Sequence, residues 1–198
     1  AQAILERETD EEALAHCDFR VEPAHGIQNG DTVTVTIANE AYLEREYLCR
    51  PAETSKTFSV SGLDEYLTDP DLLPEDDIQA LIRQFLEQTH PKEDSTFTYS
   101  APQYYKTYFL TKDPESYYPA ESENALEIYV CYDEYMNGAY RWTVYTPLVF
   151  RNLILHPDGT VDGLDYESGS DAVFYTEPEQ IINRSFNAYS IEEVYIEY

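Results

Sequence analysis

The sequence predicts an α+β fold, mostly antiparallel β-structure, in which a small β-rich N-terminal module precedes a larger domain that lays one amphipathic helix across a curved sheet. Three observations carry this expectation. Residues 31–37, DTVTVTI, alternate apolar and polar side chains with the two-residue period of a half-buried strand. Ile78, Leu81, Ile82, Phe85 and Leu86 recur at i, i+3, i+4, i+7 and i+8, a single apolar stripe of helical period. From residue 97 onward the chain runs in Tyr-, Val- and Phe-rich segments broken by turn dipeptides, the pattern of antiparallel strands joined by hairpins. A cystatin-like or NTF2-like layout fits that order of elements.

Taken in order, AQAILERETDEEALAHCDF is rich in good helix formers and sets Ile4, Leu5, Leu14 and Phe19 at loosely helical spacing, which predicts a first helix. HGIQNGD follows, where Gly26 and the Asn29-Gly30 pair predict the positive φ values of tight turns. In the next strand Val33, Val35 and Ile37 fall on a dry face and Thr32, Thr34 and Thr36 on a wet one. ETSKTFSVSGL gives a second alternating strand, with Phe58 and Val60 on one face and a stop at Gly62. The two apolar sets are expected to share one core, so that Val35→Asp unfolds the module. DEYLTDPDLLPEDD, with two prolines among acids, then breaks the periodicity near residue 70. That break divides the chain into a β-rich module over 1–69 and an α+β domain over 70–198.

Pro74 suits the first turn of a helix, and Glu75, Asp76 and Asp77 complement the positive end of its macrodipole. The spacing predicts this helix over 74–89, ended by His90-Pro91. FTYSAPQYYKTYFL, ALEIYVCYDEY, AYRWTVYTPLVFRNLIL, DAVFYT and EEVYIEY read as strands, with Asn137-Gly138 and Asp158-Gly159 as turns.

Charge narrows the partners. The chain has 12 Lys and Arg against 39 Asp and Glu, a formal net charge of −27. Such a surface repels phosphate backbones and anionic lipid headgroups, which argues against nucleic acid and leaves cations, basic proteins and neutral sugars. Disorder is not implied, because 19 Tyr and 8 Phe are far more aromatic residues than disordered chains carry. Cys17, Cys49 and Cys131 have neither CxxC nor metal-ligand spacing, and their odd number leaves the disulfide state open. No run of apolar residues is long enough to insert into a membrane.

GIQNGDTVTVTI followed by ETSKTFSVSGL resembles a repeated module in the ectodomains of Gram-positive bacterial surface proteins, many of which carry an N-terminal zinc ribbon and a single membrane anchor. In that module an L-x-NGD-x-V-x-V strand leads to a T-K-x-F-x-V-x-GL strand, and the likeness covers roughly residues 25–67. YVCYDEYMNGAYRWTVYTPLVFRNLILHPDGTV is similar in rhythm to the domain that often follows. The resemblance implies an extracellular, cell-surface location, with ribbon and anchor upstream of Ala1. It implies no catalytic residues.

Candidate sites are weighed against plainer roles. Tyr104, Tyr108, Tyr140 and Trp142, in the most aromatic stretches, form a binding platform for sugar or peptide if one strand face is open, and otherwise pack the sheet. Asp158, Asp162 and Asp165 make an oxygen-rich loop of the kind that holds Ca²⁺, although the spacing is not that of an EF-hand and a hairpin turn explains the same residues. His25, His90 and His156 sit beside Gly or Pro, the setting of turns rather than of metal or catalytic sites. No nucleophile elbow accompanies any Ser or Cys. The sequence therefore favours a non-enzymatic extracytoplasmic binding domain without a cofactor, over a structural spacer or a carbohydrate hydrolase working through a carboxylate pair.

Overall fold

The computed structural model describes residues 15–48, 50–165, 172–185 and 187–198. Residues 1–14 of the expected first helix, together with Cys49, lie outside the described residues. The chain divides into two compact units, Ala1–Leu63 and Asp64–Tyr198.

In the first unit β1 (Phe19–Glu22), β2 (Thr32–Ile37) and β3 (Ser55–Ser59) form an antiparallel sheet in the order β1-β2-β3. Register places Val21 opposite Val35 and Val33 opposite Phe58, so the apolar alternants share one face as the period predicts. That face is sealed only at Val33. Val35 and Ile37 are half-buried and Phe58 stands exposed beneath the Lys56 ammonium, 5.4 Å from its ring. Val35 itself lies opposite Lys56, which would pair with an aspartate there, so the expected unfolding by Val35→Asp belongs more properly to Val33. On the other face Thr34 and Thr57 hydroxyls meet at 3.2 Å.

Gly30 takes φ +88°, as the turn expectation requires, but Asn29 does not adopt a positive φ. Its amide instead clamps the end of the unit, donating to the Leu63 carbonyl (2.8 Å) and accepting from the Leu63 amide (3.0 Å). The helix α1 (Glu40–Tyr47) was not legible, because EAYLEREY buries only Leu43 and shows no apolar stripe.

The second unit is built on β5 (Phe97–Tyr99), β6 (Gln103–Lys112), β7 (Asn124–Met136), β8 (Ala139–Arg151) and β11 (Tyr189–Val194). The long β7 is central: β6 and then β5 pair along one edge, β8 along the other, and β11 flanks β6, all antiparallel. Asn137 (φ +51°) and Gly138 (φ +77°) make the two-residue turn between β7 and β8 that their sequence predicts. A smaller antiparallel sheet joins β4 (Glu65–Tyr66), β9 (Ile154–Leu155) and β10 (Val161–Asp162).

The expected helix is α2 (Glu75–Gln88), with Glu75, Asp76 and Asp77 in its first turn. Ile78, Leu81, Ile82 and Phe85 are buried, and half-buried Leu86 packs beside them. They meet Phe109, Leu126, Ile128, Val130, Leu148 and Phe150 from one face of the large sheet, which is the main core. Leu67 joins that core, so the segment 64–69, grouped with the first module on composition, packs into the second unit through the β4–β9 pairing. The opposite sheet face is covered as well. It carries Tyr108, Leu110, Ala125, Tyr129 and Tyr145, with Phe174 packed against them from the chain that leads into α3 (Pro178–Ser185). DAVFYT, expected as a strand, makes a single bridge, Phe174 to Tyr145, within its described residues.

Candidate functional site

The structure does not gather the four residues of the expected aromatic platform. A β-bulge between Tyr104 and Lys106 reverses the side-chain alternation of β6. Tyr104 consequently turns toward the main core, its hydroxyl donating to Thr107 Oγ1 at 3.1 Å, while Tyr108 is buried on the opposite face. Sequence spacing alone would have put both on one face.

Tyr140 and Trp142 both sit near the free end of the β7–β8 hairpin, but a second bulge, between Glu134 and Tyr135, pairs Trp142 with Glu134 and Tyr140 with Tyr135 and so sends the two rings to opposite faces, each with neighbours that sequence did not nominate. The Arg141 guanidinium stacks 4.0 Å above the Trp142 ring and 6.0 Å from that of Phe97, with Glu134 3.9 Å from one of its nitrogens. Tyr175 meets Trp142 edge-on at 5.3 Å, and Tyr135 meets Tyr140 at 6.1 Å. Tyr140 (58 %) and Tyr175 (54 %) are well exposed. The Trp142 indole N–H is enclosed and makes no hydrogen bond. One face of the hairpin end thus carries Trp142 between Arg141 and Tyr175, a surface suited to stacking on sugar rings or peptide side chains.

The acidic loop behaves as a turn. Asp158 Oδ1 accepts from the Thr160 amide (3.0 Å) and hydroxyl (2.7 Å), hydrogen bonds that hold its carboxyl below the usual carboxylate range. Asp162 Oδ2 lies 2.8 Å from His156 Nε2, and Asp64 Oδ1 lies 2.7 Å from Nδ1, each carboxylate accepting from the ring. These two bonds, Asp162 foremost, push the imidazole up to about 9, so His156 is a cation clamped between carboxylates. Asp165 lines a cavity of about 340 Å³ between α2 and β10 together with Asp77, Gln84 and Asp162. Among the described residues no group of three or more His, Cys, Asp or Glu side chains is arranged to hold a metal.

A third constellation lies on the face of the sheet opposite α2, running from the buried Glu127 and Tyr129 to the half-buried Lys106 and Glu179. Glu127 is 3 % exposed and accepts from the Tyr129 hydroxyl at 2.7 Å; burial pushes its carboxyl up. Lys106 joins Glu179 and Glu193, at 2.9 Å each, and those bonds raise its pKa. Burial opposes the charge of Glu179, but Lys106 outweighs it and brings the carboxyl down to about 2. Burial and then Glu179 push Tyr105, whose hydroxyl donates to that carboxylate, up to about 12. Two carboxyls driven apart in this way resemble an acid and base pair, yet Glu127 is bonded to Tyr129 within the packed layer and the half-buried Glu179 is already held by Lys106 and Tyr105. A lone acid in the otherwise apolar run ALEIYV was the available sign of Glu127.

The second unit is therefore an antiparallel sheet covered on both faces, whose aromatic hairpin end is its most ligand-like surface. The chain matches no protein-family model, no curated protein and no solved structure. No helix among the described residues is long and apolar enough to cross a membrane.

Proposed function

We propose that this chain is a non-catalytic binding domain from the outer face of a bacterial cell envelope, of the kind that Gram-positive surface proteins display, and that it holds a neutral glycan at the aromatic end of the β7–β8 hairpin. The observation that carries this reading is the grouping of Trp142, Tyr175 and Arg141 near a free hairpin tip, with the Tyr175 ring open to solvent. Planar rings grip the apolar faces of sugars, and a guanidinium beside them offers donors to hydroxyls. The net charge of −27 favours a neutral partner over an anionic one. The envelope location rests on the likeness of residues 25–67 to the surface-protein module.

Co-sedimentation with chitin, an insoluble neutral glycan, tests the reading. The wild-type protein should pellet with the glycan. Tyr175→Ala and Arg141→Ala should each weaken binding about tenfold, as loss of an anchoring group does. Tyr117→Ala, which removes a still more exposed ring elsewhere, should bind as the wild type does. Failure of the wild type to pellet, or tip variants that bind normally, would leave the spacer as the better account.

A further inference from the structure

An open sheet ends in strands whose outer backbone groups lack a neighbour, and the large sheet engages much of its own edge. The outward N–H and C=O of Phe97 in β5 both bond to Asp94, at 2.7 and 3.1 Å, and the Tyr99 N–H reaches Glu93 at 3.4 Å. On β8 Tyr145 exchanges backbone bonds with Phe174, and Pro147, two residues on, has no N–H to offer. β11 sets Glu192 and Glu193 along the remaining flank. Such devices keep a sheet from pairing with another chain.

The sheet of the first unit treats β3 differently. The Thr54 carbonyl accepts from the Ile37 amide and the Val60 amide donates to the Asp31 carbonyl, each at 2.8 Å. Alternation between those two bonds turns the backbone groups of Lys56 and Phe58 toward β2 and those of Ser55, Thr57 and Ser59 away from it. The outward groups bond to nothing among the described residues, and every residue of β3 is exposed. The strand contains no Pro, and residues 54–63 contain no acid in a chain that has 39. Its one charge, Lys56, lies across the Phe58 ring at 5.4 Å instead of standing off the edge. A bare row of amides and carbonyls is a template for one more strand.

SKTFS also complements itself. When two copies are laid antiparallel about Thr57, Thr57 faces Thr57 and Ser55 faces Ser59, and these are the positions whose backbone groups point outward, so each N–H and C=O finds its counterpart. The same register sets Lys56 opposite Phe58 of the second copy, an ammonium beside a ring, and brings no two like charges face to face. We infer that the first unit pairs with a second copy of this chain through β3, joining the two sheets into one across a two-fold axis at Thr57. The contact is short and each chain carries a net charge of −27, so the association is weak, and salt that screens the repulsion strengthens it. This pairing stands apart from the glycan binding proposed above, which uses the second unit.

Sedimentation velocity of the full chain from about 10 μM to about 1 mM tests the pairing. In about 0.15 M NaCl a reversible dimer should form with Kd on the order of 100 μM, and in about 0.5 M NaCl it should be about threefold tighter. Thr57→Lys and Thr57→Glu, at an exposed position, should melt as the wild type does. Each sets like charges face to face on the axis and should weaken the dimer about fivefold or more in about 0.15 M NaCl. An equimolar mixture of the two variants should dimerise as the wild type does, because lysine then faces glutamate. A wild-type chain that stays monomeric throughout the range overturns the inference. Thr57 variants that dimerise like the wild type also overturn it, as does a mixture no more dimeric than either variant alone.

Discussion

Asn124 ties the small sheet to the large one, and its replacement by aspartate gives a measurable test of that role. The side chain is fully buried; Nδ2 donates to the carbonyls of Leu67 (2.7 Å) and Leu153 (2.8 Å), and Oδ1 accepts from the Leu153 amide (2.7 Å). Asn124→Asp keeps the shape but sets an oxygen where both N–H donors were, so two carbonyls now face an acceptor. Leaving a buried polar group without its partner costs about 1–3 kcal/mol, and a buried carboxylate adds a desolvation cost that protonation relieves. The variant should lose about 3–5 kcal/mol near neutral pH. Its new carboxyl should titrate above the ~3.9 of an unfolded aspartate, so the folded state holds the proton more tightly and the deficit shrinks as pH falls. Urea unfolding followed by Trp142, the chain's one Trp and part of the same unit, measures this at about pH 7.5 and about pH 5. Asn187→Asp in an exposed turn serves as control and should stay within about 0.5 kcal/mol of wild type. A deficit under about 1 kcal/mol, or one that is the same at both pH values, would refute the bonding described.

Phe85→Ala removes a ring that is 2 % exposed at the centre of the α2 contact and should cost about 3–5 kcal/mol in the same assay, whereas exposed Arg83→Ala should change little. In the first unit Val33→Asp, which buries a carboxylate opposite Phe58, should melt the sheet at a lower temperature than Val35→Asp, whose new carboxylate can pair with Lys56; the reverse order would show the wrong face was assigned. His156 has a folded pKa of about 9, above its ordinary 6.5, so the clamp's stability is complete below about pH 6.5 and disappears as pH climbs through about 9. His156→Gln should flatten that stretch of the stability profile, and an unchanged profile would count against the clamp. With 39 acids against 12 bases, the whole protein should melt higher near pH 5 than near pH 8 at low salt, and NaCl should narrow the gap by screening.

What the sequence determined is what depends on neighbours along the chain. The i, i+3, i+4 stripe from Ile78 to Leu86 is enough to specify α2 and its buried side, because a helix face is set by local spacing. Asn137-Gly138 specifies the β7–β8 turn, since few residues tolerate its positive φ values. Alternation in TVTVTI specifies which side chains share a face of β2. Tertiary structure decided whatever rests on pairing between distant segments. The bulge at Tyr104/Lys106 is a mismatch between β6 and β7 and exists only once both strands are laid together, yet it sends Tyr104 and Tyr108 to opposite sides. Asn124 reads as one polar residue before a strand until Leu67 and Leu153 arrive, 57 and 29 residues away, to present backbone groups to its amide. Trp142 acquired Tyr175, and Lys106 acquired Glu179, in the same manner. Local propensity is a property of a short window, but a site is made of groups that the window never contains, and only the closed sheet brings them within bonding distance.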